Sequence, residues 1–309
     1  MYGPSPSLDQ ARTNTTTTIQ TRSSFLRQRI HPSQKRSKHE VPTLNYGRTF
    51  AAEGIPGVMS SANFRLAWTE YQGMLITKLN SLLASTPDES TPIKDLVLKY
   101  ARDPTRASEF NHASMAFNNQ FFFSGLSPSP QPLDKCPAVH ASLEETFGTI
   151  ATLRDTMLDI ASTMFGPGYV WLVHARNSGP AANDGGWRVL TTYIAGTPYP
   201  EAGYRQQGVD MANNTASSFD AYAAAQAQPR NTVGTMGAHS AMGRESAAFP
   251  PGGTHITPVL CVNTWEHVYI YDYGVTGKRR FLADWWDAID WHQVEQRMPP
   301  EARKRPEFR

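Results

Sequence analysis

Cys261-Val262-Asn263-Thr264-Trp265-Glu266-His267-Val268-Tyr269 is the densest stretch of the chain. It closes a β-branched run, Ile256 to Val262, that reads as a strand. It opens Glu266 to Tyr273, which reads as a helix, and a last helix is expected within Phe281 to Met298. Working upstream, Tyr169 to His174 and Trp187 to Ile194 are β-branched and aromatic runs of strand length. Before them the period is helical. Leu143, Phe147, Ile150, Leu153, Met157, Leu158 and Ile160 form one buried stripe that ends near Phe165.

Nearer the start, Leu66, Trp68, Leu75, Leu79, Leu82 and Leu83 recur at helical spacings between Gly57 and Ser85, and Thr86-Pro87-Asp88 stops them. Ile93 to Tyr100 and Thr105 to Leu126 are two further helices, so residues 41–130 read as a helical hairpin domain. The run Ser127-Pro128-Ser129-Pro130-Gln131-Pro132 cannot continue a helix and marks a boundary to an α/β domain, 131–298. That domain carries an insertion at 201–254, rich in Ala, Gln, Asn, Ser and Gly. It separates two strands that a tight turn would otherwise join. The expected fold class is α+β: a helical hairpin, then an α/β domain with a small three-stranded antiparallel sheet.

Composition narrows the function classes. The formal net charge of +2 is too small to announce a nucleic-acid binder by itself. No apolar run reaches the roughly eighteen residues a membrane span needs. Cys136 and Cys261 make no zinc spacing and no disulfide framework, and read as buried thiols of a reducing compartment. His140, His174, His239, His255 and His292 show no H-x-x-x-H or similar pairing with carboxylates. Residues 1–40 stand apart. Arg12, Arg22, Arg27, Arg29, Lys35, Arg36 and Lys38 face only Asp9 and Glu40, among many hydroxyl residues. That is the composition of a mitochondrial transit peptide, with a basic disordered arm as the alternative. The tail, 299–309, is basic again.

The opening stretch resembles the D-x-W-E-H-A-Y run of iron and manganese superoxide dismutases. Tyr273, Phe281-Leu282 and Trp286-Asp287-Ala288-Ile289-Asp290-Trp291-His292-Gln293-Val294 continue the likeness. Gly166-Pro167-Gly168-Tyr169-Val170-Trp171-Leu172-Val173 is similar to that family's G-S-G-W-G-W-L strand. Asn118-Asn119-Gln120-Phe121-Phe122-Phe123-Ser124-Gly125-Leu126-Ser127-Pro128 is similar to its N-H-S-x-F-W-x-x-L-S-P helix end. Val41-Pro42-Thr43-Leu44-Asn45-Tyr46-Gly47 resembles its mature N-terminus, and Tyr71 falls where an active-site tyrosine is expected.

The same resemblance argues against the family's activity. Its metal is held by three imidazoles and one carboxylate, and here the four positions fall on Asn63, Asn119, Asn263 and His267. A neutral carboxamide is a poor donor for iron or manganese. His112 is about 10 Å along the helix from Asn119, two turns away. The region of the family's second-sphere glutamine reads Ala195-Gly196-Thr197-Pro198. The resemblance implies no cofactor and no catalysis. In the family, the Glu of W-E-H reaches across a two-fold interface to the partner's ligand His, so Glu266 and His267 are the expected dimer residues.

A metal-free body of this kind behind a basic presequence is similar to the non-catalytic superoxide-dismutase-like proteins of the fungal mitochondrial small ribosomal subunit. The resemblance implies a structural role in mitochondrial translation, in the matrix. The expected partners are a paralogous subunit in a heterodimer, other small-subunit proteins and rRNA. Lys278, Arg279, Arg280, Arg303, Lys304, Arg305 and Arg309 are the candidate phosphate contacts. The alternative is a dismutase-like metalloenzyme with a remodelled site, for which Cys261 beside His267 is the one added donor.

Overall fold

The computed structural model describes residues 38–176, 186–202 and 255–303. The expectations for the basic arm before Lys38, for 203–254 within the insertion, and for Lys304, Arg305 and Arg309 lie outside them. A short helix that the sequence reading did not foresee, α1 (Gly47–Glu53), comes first. Gly54 ends it at φ 81°, and a Cβ there would sit 2.2 Å from Met59 O, so only glycine turns the chain here.

Ser60 starts the long helical run, its hydroxyl accepting from the Asn63 amide at 3.2 Å. The run passes through α2 (Ser61–Phe64), a π-helical segment (Arg65–Glu70) and α3 (Tyr71–Leu83). Then α4 (Ile93–Tyr100) leads to α5 (Ala107–Phe123). Gln72 Nε2 donates to Ala116 O, and Asn119 Nδ2 to Ala67 O, so α3 and α5 run antiparallel as the expected hairpin. An aromatic chain of edge contacts, Phe50–Phe64–Phe123–Trp68, fills the space between them, with ring centroids 5.4–5.5 Å apart.

Beyond the proline-rich segment come α6 (Pro137–Phe147) and α7 (Ile150–Thr163), then β1 (Gly168–Ala175), β2 (Gly186–Tyr193) and β3 (Ile256–Asn263). The order is β2-β1-β3, and both neighbours run antiparallel to β1. This corrects one expectation. The strands flanking the insertion, β2 and β3, lie on opposite sides of β1 and therefore point the same way, so no tight turn could join them. Every residue of β1 is buried, which is why its sequence is a continuous apolar and aromatic run.

After β3 come α8 (Glu266–Tyr273), α9 (Lys278–Asp287) and α10 (Trp291–Arg297), and a 3-10 turn (Pro300–Ala302) follows near the end of the described residues. The single helix expected within Phe281 to Met298 is two. Asp290 caps α10 by accepting from Gln293 N, while Ser127 N donates to Ala288 O and Asp290 N to Gly125 O. The break is thus a tertiary pairing with the end of α5 that local periodicity does not carry. One hydrophobic core runs through the described residues, from Phe50 and Phe64 through Phe123, Trp171 and Val262 to Trp285. A smaller cluster around Leu79, Leu96 and Tyr100 covers its hairpin end.

Candidate functional site

The four expected positions fall into two pairs: Asn119 faces Asn263, and Asn63 bonds the backbone next to His267. Asn63 lies on α2, Asn119 on α5, Asn263 at the last residue of β3 and His267 in the first turn of α8. All three asparagines have no exposed surface. Asn63 Nδ2 donates to Val268 O at 2.8 Å, holding α2 against α8 beside His267. Asn119 Nδ2 donates to Gln72 Oε1 at 3.0 Å and to Ala67 O at 3.2 Å. Asn263 Oδ1 accepts from the Trp265 amide at 2.9 Å, while its Nδ2 has only long contacts, 3.4 Å to Asn119 Oδ1 and 3.5 Å to the Tyr169 hydroxyl.

The imidazole of His267 packs against Tyr71 with centroids 4.1 Å apart and the rings tilted by 34°, and Trp265 stands 5.8 Å away. Burial lowers the His267 pKa to about 4, so the ring is neutral at physiological pH. Burial also raises the Tyr71 hydroxyl to about 12 and pushes Tyr169 well above its usual range, so both phenols stay protonated.

This donor set does not fit iron or manganese. The oxygens of Asn119 and Asn263 are already engaged by neighbouring N–H groups. Asn63 Oδ1 and His267 Nε2 are the buried, unpaired atoms left at these four positions. Both are neutral, and hard or borderline divalent ions at redox sites draw on carboxylate and several imidazoles. What the arrangement does instead, with Asn63 separately tying α2 to α8, is link the carboxamides of Gln72, Asn119 and Asn263 across α3, α5 and β3, a polar seam that makes one packing register costly to change. The π-helical segment lies against it, offering Ala67 O to Asn119.

One member of the seam was missed. Gln72 is fully buried and bonds both Asn119 and Ala116 O. Its signal was available, because it shares the helical stripe of Leu75, Ile76 and Leu79, where a polar residue must find partners. The Ala195–Gly196 turn, where a glutamine was sought, is tied to α5 by Ser114 Oγ donating to Ala195 O and Asn118 Nδ2 to Gly196 O.

The other candidates scatter. Glu266 is exposed at the surface end of α8. Lys278 is half-buried and donates to Met164 O at 3.0 Å, so its ammonium serves the fold. Arg279 is 3.4 Å from Asp159 and Arg280 3.8 Å from Asp284, each with its side chain largely in solvent. Arg303 donates to Glu295 O at 3.2 Å. Cys261 is buried within β3, and burial holds its thiol far above the usual range. Two histidines contradict the expectation of no carboxylate pairing. His140 lies 3.5 Å from Asp134 and 3.3 Å from Glu144, and His292 lies 3.6 Å from Glu295. The latter pairs are i,i+4 and i,i+3 on helices, spacings that a search for histidine doublets passes over.

A helical hairpin followed by a β2-β1-β3 antiparallel sheet is an α+β fold like that of the iron/manganese superoxide dismutases. The C-terminal domain of iron/manganese superoxide dismutases matches residues 214–297. The small ribosomal subunit protein mS42 of Schizosaccharomyces pombe is 29% identical over 212 residues, covering 66% of this chain and 72% of that protein. The small ribosomal subunit protein mS43 of the same yeast is 24% identical over 267 residues, covering 84% of each. The iron superoxide dismutase of Babesia bovis is 23% identical over 252 residues, covering 82% of this chain and 92% of the enzyme.

Proposed function

We propose that this chain is a structural constituent of the small subunit of the mitochondrial ribosome, acting in mitochondrial translation through protein and rRNA contacts. The observation that carries the reading is that Asn63, Asn119 and Asn263 occupy the expected ligand positions, each fully buried and hydrogen-bonded within the fold. The likeness to mS42 and mS43 supplies the assembly. The protein then works in the matrix, without iron or manganese and without dismutase activity.

Its partner in this reading is a paralogous dismutase-like subunit. Supporting this, Phe165 is 99% exposed, Val275 80% and Tyr271 62%, apolar surface of the kind that marks interaction sites. Lys278 links Met164 to the start of α9 and feels the charge of Glu266, so Phe165 and Glu266 flank the same edge. Glu266 and His267 would then sit at a two-fold-like contact. Arg279, Arg280 and Arg303, with Lys304, Arg305 and Arg309 beyond the described residues, are the proposed rRNA contacts.

A remodelled dismutase is the competing reading, favoured only by the retained His267–Tyr71 pair. Depletion of the protein from cells separates the two. The ribosomal reading predicts reduced synthesis of mitochondrially encoded polypeptides with dismutase activity of the extract unchanged. Normal synthesis with reduced dismutase activity would overturn it.

A further inference from the structure

Cys136 is far in sequence from His292 and Glu295, and the fold brings the three together. Cys136 sits at the N-terminal cap of α6, 2% exposed, at the end of a short 3-10 turn (Leu133–Lys135). His292 and Glu295 are one turn apart on α10 and present their side chains together. One thiol, one imidazole and one carboxylate place their donor atoms within 4.8 Å of one another. We propose that these three side chains form a divalent transition-metal site of zinc type, clamping α10 to the start of α6.

The chemistry favours zinc. Thiolate, imidazole and carboxylate are its three ordinary protein donors, and solvent can complete a tetrahedron. Donors around such an ion lie ~3.5 Å apart, since metal–ligand distances are about 2.0–2.3 Å. His292 Nδ1 and Glu295 Oε2 are already 3.6 Å apart. The remaining closure is about an ångström, within reach of two side chains that are not fully buried. The largely exposed His292 side chain also leaves an entry path. Burial, then the nearby charges of Glu295 and Asp290, hold the free thiol in its protonated form. A bound ion reverses that preference: the thiol S–H breaks, sulfur bonds the metal and the proton leaves to solvent. The cysteines show no zinc spacing in sequence because the other two proposed ligands lie far along the chain, on α10. The site shares no residue with the carboxamide seam and is independent of the ribosomal reading.

The test uses the full chain, stripped with chelator and titrated with zinc alone. Elemental analysis after desalting should return near one zinc per chain, with iron and manganese absent. Substituting cobalt(II) should give a thiolate-to-metal absorption band that disappears in Cys136→Ser. His292→Asn, at an exposed position that should not disturb folding, should weaken zinc binding at least about tenfold, and His140→Asn should leave it unchanged. Failure of the folded wild type to retain zinc, or equal retention by Cys136→Ser and His292→Asn, would overturn the proposal. Iron or manganese in the chain would instead count against the proposed function.

Discussion

His267 falls where the resemblance to superoxide dismutases puts a metal ligand, and its burial has a thermodynamic consequence. Its pKa falls to about 4 through burial against Tyr71 and Trp265. The unfolded chain, titrating near 6.5, binds more protons than the folded one between about pH 4 and 6.5, so stability is full above that window and lost as pH falls through it. The whole effect is up to about 3 kcal/mol. His267→Gln should remove it. Urea unfolding at pH 7 and pH 4.5 should show wild type losing more stability than the variant, and equal losses would mean the ring is solvated. At this scale the sequence was legible where a motif carried the position, as for Asn263 and His267. Gln72 was missed because its partners, Asn119 and Ala116, lie on another helix.

At the scale of elements, Gly168 is the tightest point of the sheet. A Cβ there would stand 2.2 Å from Thr192 O and 2.7 Å from the end of Met164, at the first pair of the β1–β2 ladder. Gly168→Ala should therefore destabilise the protein by roughly 2–4 kcal/mol, because backbone has to move. Gly73, in the first turn of α3 and inside the continuous helical run that precedes it, meets nothing within 4 Å, and Gly73→Ala should stabilise by up to about 1 kcal/mol. Thermal melting of the two variants checks both signs, and a neutral Gly168→Ala would refute the close approach. A short amphipathic segment such as Ile93 to Tyr100 could be read directly. The Ala288–Asp290 break and the placing of β2 and β3 on either side of β1 could not, since both are set by pairing with distant segments.

At the scale of the whole molecule, the proposed heterodimer and the proposed assembly make separate demands. Glu266 is exposed in the isolated chain, so Glu266→Ala should leave monomer stability within about 0.5 kcal/mol while weakening association with the paralogous subunit. Co-expression followed by sizing would show it, and a mutant pair as tight as wild type would remove Glu266 from the interface. The resemblance to mS42 and mS43 and the loss of ligand chemistry at Asn63, Asn119 and Asn263 point to the same larger particle. Sedimentation of a gently lysed mitochondrial extract, with the protein followed by antibody, tests that claim most directly. The account predicts that it travels with the small ribosomal subunit and its rRNA. A peak at the size of a free monomer or dimer, with none on the ribosomal particle, would contradict it.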